Sequence, residues 1–300
     1  MRIGVFITGN NEEHDQTLHA FATGLQCLGL DYFITSVNTY KECDVAVVFG
    51  VGKKNVPISY ARGEIIRIHR AAGKDVVILE KGYVKRDEYY AVGLNGLNGR
   101  ADFVNEDMPS DRWEKLGVGL SQWREDGEHI ILCGQVPSDA SVQNVDIIRW
   151  CSAMARDIML ITNMKILFRP HPLAVQQTPL LLGTKLSRNK LSYDLKNAWA
   201  TVTYNSNSAV ESIIAGVPAF AFDEGSMALP LACTSISELG RPALPGRQQW
   251  ANNLAYTQWT LEEMSTGEPW LHIRRGLIPV KERKYKKGVF NGTNKNIHRL

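Results

Sequence analysis

Short apolar runs alternate with amphipathic stretches along most of this 300-residue chain, and that rhythm limits the folds open to it. RIGVFIT (2–8) predicts a strand, EEHDQTLHAFATGLQCLGL (12–30) a helix, and DYFITSV (31–37) and CDVAVVFGVG (43–52) two further strands. ISYARGEIIRIHRAAG (58–73) predicts a helix closed by Gly73, followed by a strand at DVVILEKG (75–82). Strands that alternate with helices imply a parallel sheet covered on both faces. The rhythm lapses over 82–118, which is rich in Gly, Asn and charge and reads as loops, and a polar boundary follows at SQWREDGEH (121–129). A second series then begins with a strand and loop at HIILCGQVP (129–137), a helix over 141–160, and a strand and loop at MKILFRPHP (164–172). It continues with a short helix (192–198), the strand WATVTYN (199–205), the helix SAVESIIAG (208–216), the strand VPAFAFD (217–223) and one long helix over 247–267. The expected architecture is α/β, with two Rossmann-like doubly wound domains, 1–127 and 128–275, facing a cleft, and a basic tail over 276–300. In open sheets of this kind ligands sit beyond the carboxyl ends of the strands.

Composition narrows the function classes. An apolar fraction of 44% and a charged fraction of 22% are ordinary for a soluble globular chain. No apolar run approaches the roughly 18 residues a bilayer span needs. MRIGVFITGNNEEHD lacks the long apolar stretch of a signal peptide, so a cytoplasmic protein without a membrane partner is expected. Five scattered cysteines without CxxC spacing read as reduced thiols rather than a metal or disulfide framework. A net charge of +3 does not argue for nucleic acid, but the last twenty residues hold seven Lys/Arg and one acid. That run is either a solvated tail or a polyanion footprint, with Tyr285 and Phe290 placed for base stacking.

Four segments carry candidate chemistry. In ILFRPHP (166–172) two prolines fix the backbone around Arg169 and His171, which either brace a rigid loop or stand pre-aimed at phosphate oxygens. In NSNSAVESIIAG, Ser206, Asn207 or Ser208 can cap a helix, and Glu211 lies three residues after Ser208 as in a capping box. The same helix start offers free N–H groups and a positive dipole end to a phosphate. GNNEEHDQT (9–17) lacks the GxGxxG fingerprint; Glu12, Glu13 and Asp15 are either first-turn acids or, with His14, candidates for a base at the crevice rim. GLNGLNGRADF (93–103) is a glycine-rich turn cluster that also sets a cation, Arg100, beside a potential base, Asp102.

Several of these pieces together resemble the GT-B superfamily of nucleotide-sugar-dependent glycosyltransferases. ILCGQVPSDAS, LFRPHP, NSNSAVESIIAGVPAF, FDEGSMA and RQQWANNLAYTQW are similar to capsule-type and Kdo-type transferases. The compact size and YYAVGLNGLNGRADFVNEDMPSDRW look like the small bacteriophage glycosyltransferases, some of which decorate hydroxymethylated pyrimidines in DNA. The resemblance implies a nucleotide-sugar co-substrate, UDP-linked, held by the second domain, with no other cofactor and no catalytic metal. On this basis Arg169 and His171 would contact donor phosphates or sugar, and Ser206, Asn207 and Ser208 would cradle the diphosphate. Glu211 would bind a donor hydroxyl, Gln135 and Ser138 would line the cleft, and Asp223, Gly225 and Ser226 would complete its far wall. Asn10, Asn95, Asn98 and Arg100, with Lys284, Lys286 and Lys287 of the tail, would meet the acceptor. The base would be Asp102, or else Glu13, His14 or Asp15. The expected reaction is sugar transfer to a hydroxymethylated pyrimidine in phage DNA. The alternatives are a capsule or lipopolysaccharide glycan acceptor, a nucleotide-sugar epimerase, and a non-catalytic nucleotide- or nucleic-acid-binding protein of the same fold.

Overall fold

A computed structural model describes residues 1–52, 57–137, 139–142 and 144–277; Ser138, Lys284, Lys286 and Lys287 therefore lie outside the described residues. The first lobe is built from β1 (Arg2–Ile7), α1 (Glu12–Cys27), β2 (Asp31–Ser36), β3 (Val45–Phe49), α2 (Pro57–Ala71), β4 (Asp75–Lys81), β5 (Tyr90–Leu94) and α3 (Asp111–Leu116). The second comprises β6 (His129–Cys133), α4 (Ile147–Ile161), β7 (Lys165–Arg169), β8 (Thr184–Leu186), α5 (Leu191–Asp194), β9 (Ala198–Thr203), α6 (Ser208–Ile214), β10 (Ala219–Ala221) and α7 (Gln248–Ala255). The chain then returns through β11 (Gln258–Trp259), α8 (Leu261–Thr266) and α9 (Glu268–Ile273).

The sheets have the orders β11-β5-β4-β3-β1-β2 and β10-β9-β6-β7-β8. The second is parallel throughout, whereas β5 runs antiparallel to both β4 and β11 in the first. Parallel strands buried on both faces explain the near-continuous apolar runs VAVVF and HIILC. Asn11 caps α1 by accepting from His14 N at 3.0 Å, and Leu18, Phe21, Ala22 and Leu25 recur at helical spacing on its buried face. They join Val5, Val47, Met264 and Trp270 in one core cluster.

The structure departs from the sequence reading in three places. The 82–118 stretch holds a fully buried strand, β5, because YAVGL completes the sheet beside β4 despite its loop-like neighbours. The helix expected over 141–160 begins only at Ile147, where Asp146 caps Arg149 N at 3.0 Å. The long helix expected over 247–267 is α7, a two-residue strand and α8, because Thr260 and Glu263 form a capping box that starts a new helix. Residues 258–277 consequently return to the first lobe, whereas the sequence reading carried the second domain to 275.

A second apolar cluster bridges the lobes, joining Tyr83, Phe103 and Trp113 to Ala209, Val210, Ile213, Trp250 and Leu254. Apolar contact of this kind restrains relative motion of the two halves. Among the described residues no helix is long and apolar enough to cross a membrane.

Candidate active site

The carboxyl ends of both sheets open on a hollow of about 560 Å³, within the range of small-molecule sites. His14, Gly50, Arg62, Glu80, Lys81, Tyr83, Arg86 and Asn98 line it from the first lobe. Gln135, Asp139, Arg169, His171, Asn205, Ser206, Asn207, Ser208, Glu211 and Gly225 line it from the second.

On the second lobe β7 delivers Arg169 to the rim already anchored. Its Nη1 donates to Asp194 Oδ2 at 2.5 Å and to Asn189 O at 2.6 Å. Burial pushes the Asp194 carboxyl up, but hydrogen bonds from Ser187, Asn189 and Arg169 outweigh it and hold the pKa below the usual value. Arg169 is thus a positioned guanidinium. His171 uses Nδ1 to accept from Leu173 N at 3.2 Å, capping the turn that follows.

The capping box that the sequence allows at α6 does not form. Asn207 occupies the cap position without a side-chain cap bond, Ser208 is the first helical residue, and Glu211 accepts from Asn207 Nδ2 at 3.4 Å. Asn207 Oδ1 and Ser208 Oγ are buried without a hydrogen-bonding partner, the Ser208 hydroxyl having only the weakly accepting Cys133 thiol beside it. Orphaned polar atoms in a cleft wall are rare and leave hydrogen bonds for something else to make. Since α6 is one short helix of seven residues, these side chains matter more here than its dipole. Desolvation by the surrounding walls raises the Glu211 carboxyl, although its side chain remains solvent-accessible.

The far wall is a continuous network. Gln135 Nε2 donates to Asn205 Oδ1 at 2.7 Å, Asn205 Nδ2 to Asp223 Oδ1 at 2.7 Å, and Arg100 Nη2 to Asp223 Oδ2 at 2.6 Å. Burial raises the Asp223 carboxyl, but Arg100, Asn205 and the Gly225 amide together hold it below the usual value. A Cβ at Gly225 would collide with Arg100 Nη1 and approach Asp223 Oδ1 to 2.8 Å, so a larger residue there displaces the Arg100 head from Asp223. Ser226 is buried, and its Oγ accepts from Ala228 N at 3.3 Å.

The first lobe sorts the proposed bases and acceptor contacts. Asp102, the first choice, is exposed outside the cleft, paired across from Leu94 and accepting from Val104 N at 2.9 Å. Burial raises Glu13, but Lys81 and Tyr90 outweigh it and hold the carboxyl low, leaving a weak base engaged by an ion pair. Asp15 accepts from Thr8 N, Thr8 Oγ1 and Gly9 N at 2.7, 3.0 and 2.7 Å and so fixes the β1–α1 loop. Of the four, His14 alone lines the cleft, its ring stacked on Phe49 with centroids 3.9 Å apart. Burial, then Arg62, holds the imidazole below its ordinary pKa and therefore neutral at pH 7. Asn10 is exposed beyond the rim. Asn95, at φ 58, is a turn residue that accepts from Val76 N and donates to Asp75, each at 2.9 Å. Asn98 does line the cleft and accepts from Tyr83 OH at 3.2 Å. Arg100 faces Asp223 across the lobes rather than an acceptor.

Sequence reasoning missed Glu80, Arg86, Asp139 and Asn205. Glu80 is the penultimate residue of β4, and burial drives its carboxyl pKa up despite the Lys81 amide and the nearby Arg86 and Arg62. A charged residue closing the apolar run DVVILEK, at the ligand-binding edge of a parallel sheet, was the signal that could have marked it. Arg86 makes no hydrogen bond or ion pair within the described residues, although it borders the hollow. Among the described residues no group of three or more His, Cys, Asp or Glu is placed to hold a metal.

Two Rossmann-like lobes closing on such a cleft define the GT-B architecture. No protein-family profile and no curated protein matches the chain. Among solved structures it resembles the β-Kdo 2,4-transferase of Thermosulfurimonas dismutans KpsC at 13% identity, covering 87% of this chain and 92% of that one, with a TM-score of 0.56. It also resembles the β-Kdo 2,7-transferase of the same KpsC at 15% identity, covering 91% and 99%, with a TM-score of 0.57. At these identities the likeness is one of fold.

Proposed function

We propose that the protein is a glycosyltransferase that moves a sugar from a nucleotide-activated donor to a hydroxyl of a glycan. The observation that carries this reading is the convergence on one interlobe hollow of two buried unsatisfied atoms, Asn207 Oδ1 and Ser208 Oγ, with the exposed guanidinium of Arg86. Sugar transfer builds negative charge on the departing phosphate, and preorganised donors offset it best where water is excluded. Ser208 and Arg86, with the anchored Arg169 and the ring of His171, supply donors on the departing-phosphate side. Glu80 takes the proton from the attacking hydroxyl, its raised pKa bringing it nearer the working pH, where proton transfer is most efficient. Neutral His14, stacked on Phe49, lines the same hollow.

A glycan acceptor is favoured over DNA because Arg100, the cation the DNA reading relied on within the fold, is engaged by Asp223 at 2.6 Å. The fold likeness to two Kdo transferases supports sugar transfer and adds nothing for DNA. The test is a transfer assay with a panel of labelled nucleotide sugars, UDP- and CMP-linked among them. Acceptors would be bacterial capsule and lipopolysaccharide oligosaccharides and hydroxymethylated duplex DNA. Label should enter an oligosaccharide; label entering only the DNA would overturn the glycan assignment, and no transfer from any donor would overturn the activity.

A further inference from the structure

The turn that ends β3 leaves a bare spot at the wall of the hollow. Gly50 sits there at φ 67, a left-handed conformation that favours glycine, and its amide donates to Leu79 O at 2.7 Å. That bond carries the β3–β4 ladder one residue further and sets Gly50 beside Glu80, which follows Leu79. A Cβ on Gly50 would meet two side-chain atoms, Arg62 Nη1 and Glu80 Oε2, each 3.4 Å away. Among the described residues beyond its chain neighbours, no other heavy atom lies within 4 Å of that point. The place of the missing side chain is thus a small space bordered by a cation and a carboxyl, and all three residues line the hollow.

Both borders are held from behind. The Lys81 amide donates to Glu80 Oε1 at 3.0 Å, which leaves Oε2 as the oxygen turned to the space. Arg62 of α2 is 9% exposed, and its Nη1 donates to Phe49 O, while the Phe49 ring is stacked against His14. Arginine stays protonated in a protein, so this cation is permanent. The departing phosphate is served by Arg86, Arg169, His171 and Ser208, and Arg62 has no part in that. A hydroxyl oxygen in the space would have a carboxylate to take its proton and a positive charge to steady it as the proton leaves. We propose that the space over Gly50 seats the attacking hydroxyl of the acceptor, between Glu80 and Arg62. The O–H proton passes to Glu80 Oε2, the oxygen bonds to the anomeric carbon, and the phosphate leaves with the electrons of the broken C–O bond. Gly50 is then a specificity residue, since any side chain there occupies the place the hydroxyl needs. This rests on the transferase reading and on Glu80 as its base.

Steady-state kinetics of the full chain test it, with UDP- and CMP-linked sugars as donors and capsule and lipopolysaccharide oligosaccharides as acceptors. Gly50→Asn fills the space and keeps the backbone, because asparagine tolerates the left-handed region. It should lower kcat/KM for the acceptor by about 10²-fold, chiefly through KM, while donor affinity in isothermal titration stays parental. Arg62→Gln should lower the same ratio by about 10²-fold, and Arg62→Lys, which returns the charge, should recover most of that loss. Parental acceptor kinetics in Gly50→Asn would overturn the proposal. So would an equal loss of donor affinity, which would give the space to the donor. Where Gly50→Asn does not fold, the Arg62 pair decides, and parental kinetics in Arg62→Gln would overturn the proposal as well. An inactive parent would end this inference together with the transferase reading. An active parent that loses transfer in Glu80→Gln but not in Gly50→Asn would end this inference alone.

Discussion

Glu80 and His272 show how burial sets the behaviour of single residues. At Glu80 the folded pKa is raised, so the basic, ionised form fills in only as pH climbs through that raised value. The acid limb of the kcat profile is expected above the ordinary carboxylate range. Glu80→Gln should remove that limb and lower kcat by roughly 10²–10⁴-fold; a variant with parental kcat and an unmoved limb would exclude Glu80 as the base. His272 is buried, with Nε2 facing Phe103 O at 2.9 Å and Nδ1 facing the Arg275 guanidinium at 3.0 Å. It is therefore the neutral tautomer that donates to one partner and accepts from the other. Burial above all pushes its pKa down to about 4 from 6.5. A depressed folded value means stability is intact above pH 6.5 and is lost as pH falls towards about 4, by about 3 kcal/mol in total. Chemical denaturation at pH 7.5 and pH 4.5 should show that loss, and His272→Gln should flatten it.

At the level of elements the strand–helix alternation was legible because the central strands, such as β3 and β6, are short and almost wholly buried apolar runs and the long helices α1 and α4 carry an apolar stripe. β5 was not legible, since YAVGL is only five residues between glycine- and charge-rich flanks and its assignment depends on pairing with β4. The break between α7 and α8 was hidden for a similar reason: a two-residue strand has no periodicity, and only the Thr260–Glu263 capping box marks the restart. That the residues around the start of α6 face the hollow was readable from their run of small polar side chains. Glu80 and Arg86 were not, because only the folded chain sets them opposite Asn207 and Ser208. Helix packing yields its own prediction at Gly24 of α1. Alanine normally favours a helix over glycine by about 1 kcal/mol. Here its Cβ would strike Met264 O and lie 2.8 Å from Gly267 Cα at the end of α8. Gly24→Ala should therefore destabilise the protein by about 1–3 kcal/mol in denaturant titration; a gain in stability would mean that α1 and α8 are not in close contact.

Across the whole molecule the return of residues 258–277 to the first lobe ties the two halves together. Arg112 of α3 is the clamp: it reaches the second lobe by donating from Nε to Ala255 O of α7 at 3.3 Å, and it also holds the returning segment. It donates to both Glu263 carboxylate oxygens at 3.1 and 3.0 Å and lies 3.8 Å over the Trp259 ring. Burial raises Glu263, but Arg112, Lys115 and Thr260 outweigh it and keep the carboxyl below its usual value, and so charged. Arg112→Ala leaves Glu263 with Lys115 and the Thr260 amide alone, so it should cost about 1.5–3 kcal/mol. The transition should remain single if the lobes unfold together; two separate transitions would show that the clamp does not couple them. The account as a whole depends on the interlobe hollow being a nucleotide-sugar site. Isothermal titration of the parent and of Arg86→Ala with a panel of nucleotide sugars addresses it most directly. Saturable binding of at least one donor, weakened tenfold or more in Arg86→Ala, is the predicted result. No binding of any donor, or equal affinity in the two proteins, would contradict it.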